Sequence, residues 1–219
     1  FKIGGLKLSL TIVASFLFIT FTGVLPQALL SIYLCGIAVI ISFILGASLG
    51  IWAAHNDKVS AFMRPINDTM QTMPSFVILI PFVMFFGIGE FTALLAIIAY
   101  AFVPAMRYTE HGLRNLPETV IEAARMIGCS QTQLLWKVKI PLAMPVIMLG
   151  LNQTIMFGLA MLVIAALVGT TGLGQLIYIG LSKADFGTGM ISGVSIALIA
   201  IIFDRTTQAW RIKLEKKTQ

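Results

Sequence analysis

The longest polar segment between apolar sequences is residues 122–141, Glu-Ala-Ala-Arg-Met-Ile-Gly-Cys-Ser-Gln-Thr-Gln-Leu-Leu-Trp-Lys-Val-Lys-Ile-Pro. Gly128 is a natural helix end, because glycine readily adopts the left-handed conformation that often follows a helix. Ser130, followed by Gln133 three residues later, has the pattern of a capping box and predicts a second short helix. Pro141 lacks a backbone N–H and is predicted to end that second helix. The segment therefore predicts helix, glycine turn and helix, outside the bilayer.

The first of these helices is predicted to begin at Pro117 and Glu118. Proline fits the first helical turn because the missing N–H has no intrahelical partner there, and a carboxylate is favoured by the positive end of the helix dipole. Ala123 and Ala124 are small, so we expect them to leave a shallow surface that a partner protein can approach closely.

The composition is that of a membrane protein. Of the 219 residues, 58% are hydrophobic and 11% are charged, and the mean hydropathy is +0.95. A soluble domain of this size does not need so much apolar surface, so we predict an all-α polytopic membrane protein. The net charge of +6 does not indicate nucleic-acid binding, because the basic residues are not spread over a soluble fold. Cys35 and Cys129 indicate neither a disulfide framework nor a metal site.

Six apolar segments divide the chain, and together they predict one transmembrane domain over residues 1–219 with about six helices. Most of them approach the roughly 20 residues that cross a bilayer. The third and fourth segments are shorter, and only Gly89-Glu90 separates them, so we expect one or both to be tilted or bent. The first residue is Phe1, so we expect a sequence trimmed at its start, and we interpret the first apolar segment as a span rather than a signal peptide. The predicted spans are 6–24, 27–54, 74–89, 91–106, 142–168 and 187–204.

The distribution of basic residues predicts the orientation. Six spans with the N-terminus inside place segments 1–5, 55–73, 107–141 and 205–219 in the cytoplasm. Of the 15 Lys and Arg residues, fourteen then lie on the cytoplasmic side and Lys183 alone lies outside. Cytoplasmic loops of membrane proteins carry such an excess of Lys and Arg. We therefore expect both termini in the cytoplasm.

Two absences from the sequence bear on the energy source. No Asp, Glu, Lys, Arg or His lies clearly in the middle of a predicted span, whereas secondary transporters usually keep ionisable residues there. The chain also contains no P-loop motif, so it is not predicted to bind ATP itself. No Ser/His/Asp or Cys/His arrangement predicts a catalytic residue. These features favour a channel that a separate ATPase powers.

Polar residues inside the predicted spans form the candidate translocation path. An amide in hydrocarbon is costly unless it is paired, so such residues face the protein interior or a water-filled route. Two interpretations stay open, hydrogen bonding between helices and lining of the path. The candidates are Gln71, Thr72, Met73, Asn152, Gln153, Thr154 and Met156.

The polar segment resembles the EAA motif of ATP-binding-cassette (ABC) importer permeases. The matching pattern is Glu-Ala-Ala at 122–124, Gly128 after three residues, and Val-x-Ile-Pro at 138–141. The family's motif usually ends in Ile-x-Leu-Pro, so Val138 and Ile140 are mild departures. In that family this loop forms a coupling helix that docks on the ATPase subunit. The resemblance implies the following coupling residues: Glu122, Ala123, Ala124, Gly128, Ser130 and Pro141.

Further stretches resemble the permease subunit of glycine betaine/proline betaine importers. The resemblance implies a type I ABC importer fold and a prokaryotic inner membrane. Its implied partners are a second copy of the permease, two ATPase subunits that bind ATP and Mg, and a substrate-binding protein. It implies no cofactor in this chain and a role in osmoprotection. Thr170-Thr171 departs from the smaller residues expected there. The stretches are Leu-Gly-Ile-Trp-Ala-Ala (49–54), Met-Gln-Thr-Met-Pro-Ser-Phe (70–76), Phe-Gly-Ile-Gly (86–89) after Pro81, Gly-Leu-Asn-Gln-Thr-Ile-Met (150–156) and Val-Gly-Thr-Thr-Gly-Leu-Gly-Gln (168–175).

Three functional classes remain as alternatives. The first is an ATP-driven importer permease, whose substrate is glycine betaine or another small solute such as choline, carnitine, trimethylamine N-oxide or an amino acid. The second is a secondary carrier or channel that works alone, and the third is a membrane scaffold without transport. The EAA-like segment favours the first class, and the absence of charge within the spans disfavours the second. The polar residues at 152–154 disfavour the third.

Overall fold

The computed structural model describes residues 5–218, with side chains described from 8 to 214, and within this range the chain is helical without strands. The predicted terminal positions 1–4 and 219 and the side chains of Lys7, Lys216 and Lys217 lie outside the described residues. A π-helical turn, Leu134–Lys139, and a short 3-10 turn, Ala166–Val168, flank α8. The helices are α1 Gly5–Phe21, α2 Leu25–His55, α3 Asp57–Thr72, α4 Ser75–Phe86, α5 Glu90–Arg114, α6 Glu118–Met126, α7 Gln131–Gln133, α8 Ile140–Ala165, α9 Leu173–Ser182 and α10 Phe186–Thr218.

The centre of the bundle is α5, which packs between α2 and α8. Gly46 and Gly50 allow α2 to approach α5 closely. A Cβ atom on Gly46 would lie 2.5 Å from the carbonyl oxygen of Phe102, and one on Gly50 would lie 2.6 Å from that of Met106. A larger residue at either position would therefore force α2 and α5 apart. Such pairs of small residues four positions apart are common where membrane helices pack closely.

Long apolar helices support a multi-pass protein. Among the described residues, four helical segments are long and apolar enough to cross a membrane by length and composition, and the bent pair α3 and α4 would make a fifth if it is one span. The four are Leu25–His55, Glu90–Arg114, Gln131–Val168 and Phe186–Leu214. The fourth predicted span, 91–106, is part of the full-length helix α5, so it is not short. The number of six spans stays a prediction.

The third predicted span differs from the structure in shape. Its helix, α4, has only 12 residues, and it meets α3 at a bend of 103°. Met73 and Pro74 stand at this bend with extended backbone, because a residue before proline avoids the helical conformation. Residues 57–72, which we assigned to a cytoplasmic loop, form the helix α3. Its ends are held by α5, as described below.

The expectation that Pro141 ends a helix is wrong. The chain runs as one continuous helical segment, Gln131–Val168, and Pro141 lies at the first turn of α8. The preceding turn, Leu134–Lys139, is π-helical. In a π turn each N–H bonds to the carbonyl five residues earlier instead of four. Pro141 lies just after this turn, where the hydrogen-bond pattern already changes. The helix therefore continues although Pro141 has no N–H.

The helix α9, which follows the glycine-rich stretch after α8, is not among the segments predicted from the sequence. Gly169 and Gly172 have φ values of +81° and +114°, which glycine adopts without strain. The backbone N–H of Leu173 donates a 2.8 Å hydrogen bond to Ser31 Oγ in α2. This contact fixes the start of α9 against α2.

The start of α10 is capped by the residue before it. Asp185 accepts hydrogen bonds from the backbone N–H of Thr188 at 3.2 Å and from its hydroxyl at 2.7 Å. These bonds, the side-chain one foremost, hold the pKa of the Asp185 carboxyl below its usual range, because they stabilise the charged form. The cap sets the position at which the last helix begins.

Candidate functional site

The helix α6 ends in a Schellman motif. The N–H of Gly128 donates to the carbonyl of Arg125 at 2.9 Å, and the N–H of Cys129 donates to the carbonyl of Ala124 at 3.2 Å. Gly128 has φ +86°, and a Cβ atom there would meet nothing within 4 Å. The glycine is therefore required by the backbone conformation rather than by lack of space. The predicted stop at Gly128 is confirmed.

The capping box that follows is also confirmed. Ser130 Oγ accepts a hydrogen bond from the N–H of Gln133 at 3.3 Å, and Gln133 Oε1 accepts one from the N–H of Ser130 at 3.0 Å. Both bonds satisfy N–H groups that a helix start leaves unpaired. The chain therefore turns sharply from α6 into the long segment Gln131–Val168, and the turn is fixed by hydrogen bonds at both sides.

The two alanines of α6 do not share one exposed surface. Ala123 is exposed with Glu122, but Ala124 is only 8% exposed. The helix packs on the π turn, whose first residue, Leu134, is 1% exposed. The expectation that both alanines face a partner is thus wrong for Ala124, because helix packing against the following segment covers it.

Two apolar residues beside the glycine turn are strongly exposed, and neither is among the site residues predicted from the sequence. Met126 is 88% exposed and Ile127 is 84% exposed. A shallow hollow next to them is lined by Thr119, Glu122, Ala123, Arg125 and Met126. Large apolar side chains at an exposed turn outside the predicted spans are a candidate contact surface for another protein. The exposed pair could be found in the sequence, because Met-Ile precedes the helix-ending glycine directly.

The EAA-like residues occupy two places in the fold. Glu122, Ala123, Gly128 and Ser130 are exposed along α6 and its turn, whereas Pro141 is exposed at the first turn of α8. The helix α6 packs on the π turn that leads into α8, so the two places belong to one packed unit.

This unit meets the end of the bundle where α2, α3 and α5 come together. Arg114, the last residue of α5, donates a 2.6 Å hydrogen bond to the carbonyl of Ala53 near the end of α2. It also forms a 2.8 Å ion pair with Asp57 at the start of α3. Since α6 follows α5 after three residues, the exposed turn lies at the same end of the bundle as these contacts.

Among the candidate path residues, Asn152 bonds to another helix. Its amide donates a 2.9 Å hydrogen bond to Asp204 Oδ1 in α10, and its carbonyl oxygen accepts one from Thr207 Oγ1 at 2.5 Å. Gln208 donates to both oxygens of Asp204 at 2.8 Å. Asn152 is 6% exposed and Thr207 is 8% exposed. The interpretation of Asn152 as a helix-to-helix contact matches this geometry.

The neighbours of Asn152 behave differently. Thr154 is fully buried and bonds back to the carbonyl of Gly150 in its own helix at 2.9 Å. Gln153 and Met156 are half-buried in α8. Asp204 lies at the end of the predicted span 187–204, and the sequence predicts no role for it. The signal was present, because Asp204, Thr207 and Gln208 share a helix face at the spacing i, i+3, i+4.

The candidates near the bend between α3 and α4 lie in a different contact. Arg107 of α5 donates to Gln71 Oε1 and forms an ion pair with Asp68. Thr72 bonds back to the carbonyl of Asp68 at 2.9 Å, and Met73 is half-buried at the bend. Gln71 thus links α3 to α5, and Asn152 links α8 to α10. No hydrogen bond among residues 8–214 joins the two groups.

The described residues contain no group of three or more His, Cys, Asp and Glu side chains that could hold a metal ion. Cys35 is buried in α2, and Cys129 is half-buried after the Schellman turn.

Comparisons with known proteins give the family. The family described as "Binding-protein-dependent transport system inner membrane component" matches residues 46–211. The glycine betaine/proline betaine transport system permease protein ProW of Escherichia coli is 40% identical over 208 residues, which cover 95% of this chain and 59% of ProW. The trimethylamine N-oxide transport system permease protein TmoV of Pelagibacter ubique is 43% identical over 215 residues, 98% of this chain and 30% of TmoV.

The chain thus spans about 59% of the length of ProW and 30% of that of TmoV. A chain of the MetNI methionine ABC transporter, solved in inward-facing conformations, superposes with a TM-score of 0.76. It is 18% identical, and the match covers 87% of this chain and 95% of that chain. This likeness shows a shared fold.

Proposed function

The chain belongs to the family of binding-protein-dependent transport system inner membrane components, and we propose that it is the permease subunit of an ATP-driven importer for glycine betaine or a related methylated amine. Its all-α fold is that of a type I ABC importer permease. The observation that carries the proposal is the family match over residues 46–211, which includes the α6 turn with its exposed Met126 and Ile127.

The proposed coupling element is α6 with its Schellman turn and capping box. Glu122, Ala123, Gly128 and Ser130 are exposed there, while Ala124 supports the helix from its buried side. An ATPase subunit that binds Met126 and Ile127 would also move the long segment Gln131–Val168. Hydrogen bonds on both sides of the turn hold this segment to α6. Pro141 lies on that segment and transmits the movement into the bundle.

The proposed partners are a second copy of the permease, ATPase subunits that bind ATP and Mg, a substrate-binding protein, and membrane lipid. Nucleic acid is not a partner in this proposal. The permease itself is not an enzyme and carries no cofactor, and ATP hydrolysis belongs to the partner subunit. Both termini lie in the cytoplasm, as the distribution of Lys and Arg supports.

The proposed translocation path runs past two groups of polar residues. One group is Gln71, Thr72 and Met73 at the bend between α3 and α4, and the other is Gln153 and Met156 in α8 with the paired Asn152 and Thr154. The half-buried state of Gln153, Met156 and Met73 leaves part of each side chain available to a passing solute. Asn152 and Thr154 hold the helix that presents them.

The substrate class has a physical rationale. A betaine is a zwitterion with a bulky, weakly hydrated quaternary ammonium, and tight recognition of that group needs an aromatic cage. A tight cage inside the membrane would slow release, so selectivity resides mainly in the binding protein and the permease offers a weakly binding route. ProW and TmoV differ in the solute that their names give, so choline, carnitine and trimethylamine N-oxide belong to the same test panel.

The test is uptake by proteoliposomes that contain the full-length permease with its ATPase and binding protein. We expect ATP-dependent accumulation of at least one methylated amine from a panel of glycine betaine, proline betaine, choline, carnitine and trimethylamine N-oxide. Vesicles without ATP and vesicles without the ATPase are the controls. Uptake that continues without ATP and without the ATPase would instead show a secondary carrier. No uptake of any member with both partners bound would contradict the proposed substrate class.

A further inference from the structure

A charged cavity of about 640 Å³ lies between α3 and α5, at the end of the bundle that carries α6. This volume is in the range of small-molecule sites. Three arginines line it, Arg64 from α3 and Arg107 and Arg114 from α5, together with the carboxylates of Asp68 and Glu110. Gln71, a candidate residue of the translocation path, is also part of the wall.

Two of the three arginines are neutralised within the cavity wall. Arg107 pairs with Asp68, and Arg114 pairs with Glu110 at 3.0 Å. The guanidinium of Arg64 forms no ion pair with any residue from 8 to 214. Arg114 also pairs with Asp57 at 2.8 Å, so Arg64 is the lining arginine without an ion-pair partner among these residues, and the carboxylate of a ligand can provide one.

The wall between the two helices is firmly built. Glu110 is 9% exposed and accepts a 2.5 Å hydrogen bond from Ser60 Oγ of α3. Asn67, on the same side of α3, is 2% exposed and contacts Met106 of α5. These contacts, together with the ion pairs of Arg107 with Asp68 and of Arg114 with Asp57, hold α3 against α5. The arrangement of the charges is thus fixed by the fold.

An aromatic ring completes the set of groups. Tyr108 lines the same cavity as Arg64. It is placed by close packing on α8, because a Cβ atom on Gly150 would lie 2.7 Å from the Cβ of Tyr108. A tyrosine ring attracts a quaternary ammonium through its negatively charged face. The cavity therefore offers one unpaired guanidinium and one ring, which suit the two ends of a zwitterion.

We propose that this cavity is a weak subsite for a carboxylate-bearing trimethylammonium zwitterion on its way into the cytoplasm, with Arg64 as the residue that recognises the carboxylate. The inference rests on the proposed function and names a site for the same substrate class. The site is weak because Arg64 is exposed to solvent, where a charge-assisted hydrogen bond is screened by water. Weak binding allows release after each transport cycle.

Saturation-transfer difference NMR of the assembled permease–ATPase complex, without the binding protein, tests the subsite. The probes are glycine betaine, which has both charges, and choline, which has the trimethylammonium group but no carboxylate. We expect glycine betaine to give a saturation signal that Arg64→Gln lowers about threefold, as loss of one solvent-exposed ion pair predicts. Lys58→Gln, which removes an exposed cation from the same helix outside the cavity lining, leaves the signal unchanged. ATPase activity of each variant serves as the control for folding and assembly.

Equal glycine betaine signals for the wild type and Arg64→Gln would overturn the proposal. So would a choline signal as strong as that of glycine betaine in the wild type. For the ring, Tyr108→Phe keeps the signal and Tyr108→Leu lowers it, since phenylalanine retains the aromatic face. Failure of ATP-driven uptake in proteoliposomes, with this Arg64-dependent signal intact, would contradict the proposed function alone. Normal uptake without the signal would contradict the subsite alone.

Discussion

The side-chain amide of Asn152 in α8 donates a hydrogen bond of 2.9 Å to the carboxylate of Asp204 in α10. The carbonyl oxygen of the same side chain accepts a hydrogen bond from the hydroxyl of Thr207 at 2.5 Å. Gln208 donates hydrogen bonds to both carboxylate oxygens of Asp204. Every polar group of this cluster has a partner, which is how a bundle interior tolerates them. The cluster fastens the last long helix to the segment that begins at the α6 turn. We therefore expect a movement of that segment to be passed to α10.

Removal of the Asn152 amide is expected to destabilise this contact. In Asn152→Leu, the carboxylate of Asp204 and the hydroxyl of Thr207 each lose a partner, which costs about 1–3 kcal/mol for a buried polar group. The midpoint of thermal unfolding of the purified complex should therefore fall. Gln153→Leu is the matched control, because Gln153 is the half-buried amide at the next position. Equal midpoints for Asn152→Leu and the control would contradict the role of the cluster.

The sequence predicted short-range features well. The stop at Gly128 and the capping box of Ser130 and Gln133 depend on residues at most five positions apart, and the structure contains both. The cluster of Asn152 and Asp204 joins residues 52 positions apart, and no spacing rule reveals such a pair. The burial of Ala124 was missed for the same reason, since it depends on how α6 packs on the next segment. The predicted helix end at Pro141 is wrong because no sequence pattern indicates the π turn that precedes it.

We expect the exposed side chains of Met126 and Ile127 to contact the ATPase subunit. Met126 is 88% exposed at the end of α6, and burial of such an apolar side chain at an interface stabilises binding by about 1–3 kcal/mol. We predict that Met126→Ala weakens co-purification of the ATPase subunit and lowers uptake with it. Thr132→Ala, at an exposed position between the two capping-box residues, should leave both unchanged. Full ATPase retention by Met126→Ala would remove this residue from the interface.

The orientation of the chain can be tested by cysteine labelling. After replacement of Cys35 and Cys129, single cysteines at the exposed positions Asn56 and Lys213 should react with an impermeant maleimide only from the cytoplasmic side. A cysteine at Ser182, at the end of α9, should react only from outside, because Lys183 lies in the one outer segment with a basic residue. Labelling with and without membrane permeabilisation is the measurement. Reaction of the Asn56 position from outside would refute the orientation.

The backbone of Gly128 provides the most direct test of the coupling element. Its φ of +86° costs an L-residue roughly 1–2 kcal/mol, although a Cβ atom there would meet no neighbouring atom within 4 Å. Gly128→Ala, and more strongly the β-branched Gly128→Val, should therefore distort the Schellman turn without creating a clash. We expect the protein to remain inserted while ATPase co-purification, substrate-stimulated ATP hydrolysis and uptake fall together. Gly36→Ala is the matched control, because Gly36 in α2 also has open space around it but has no positive φ. If Gly128→Val retains the ATPase and transports at the rate of Gly36→Ala, the α6 turn does not couple the permease to its ATPase.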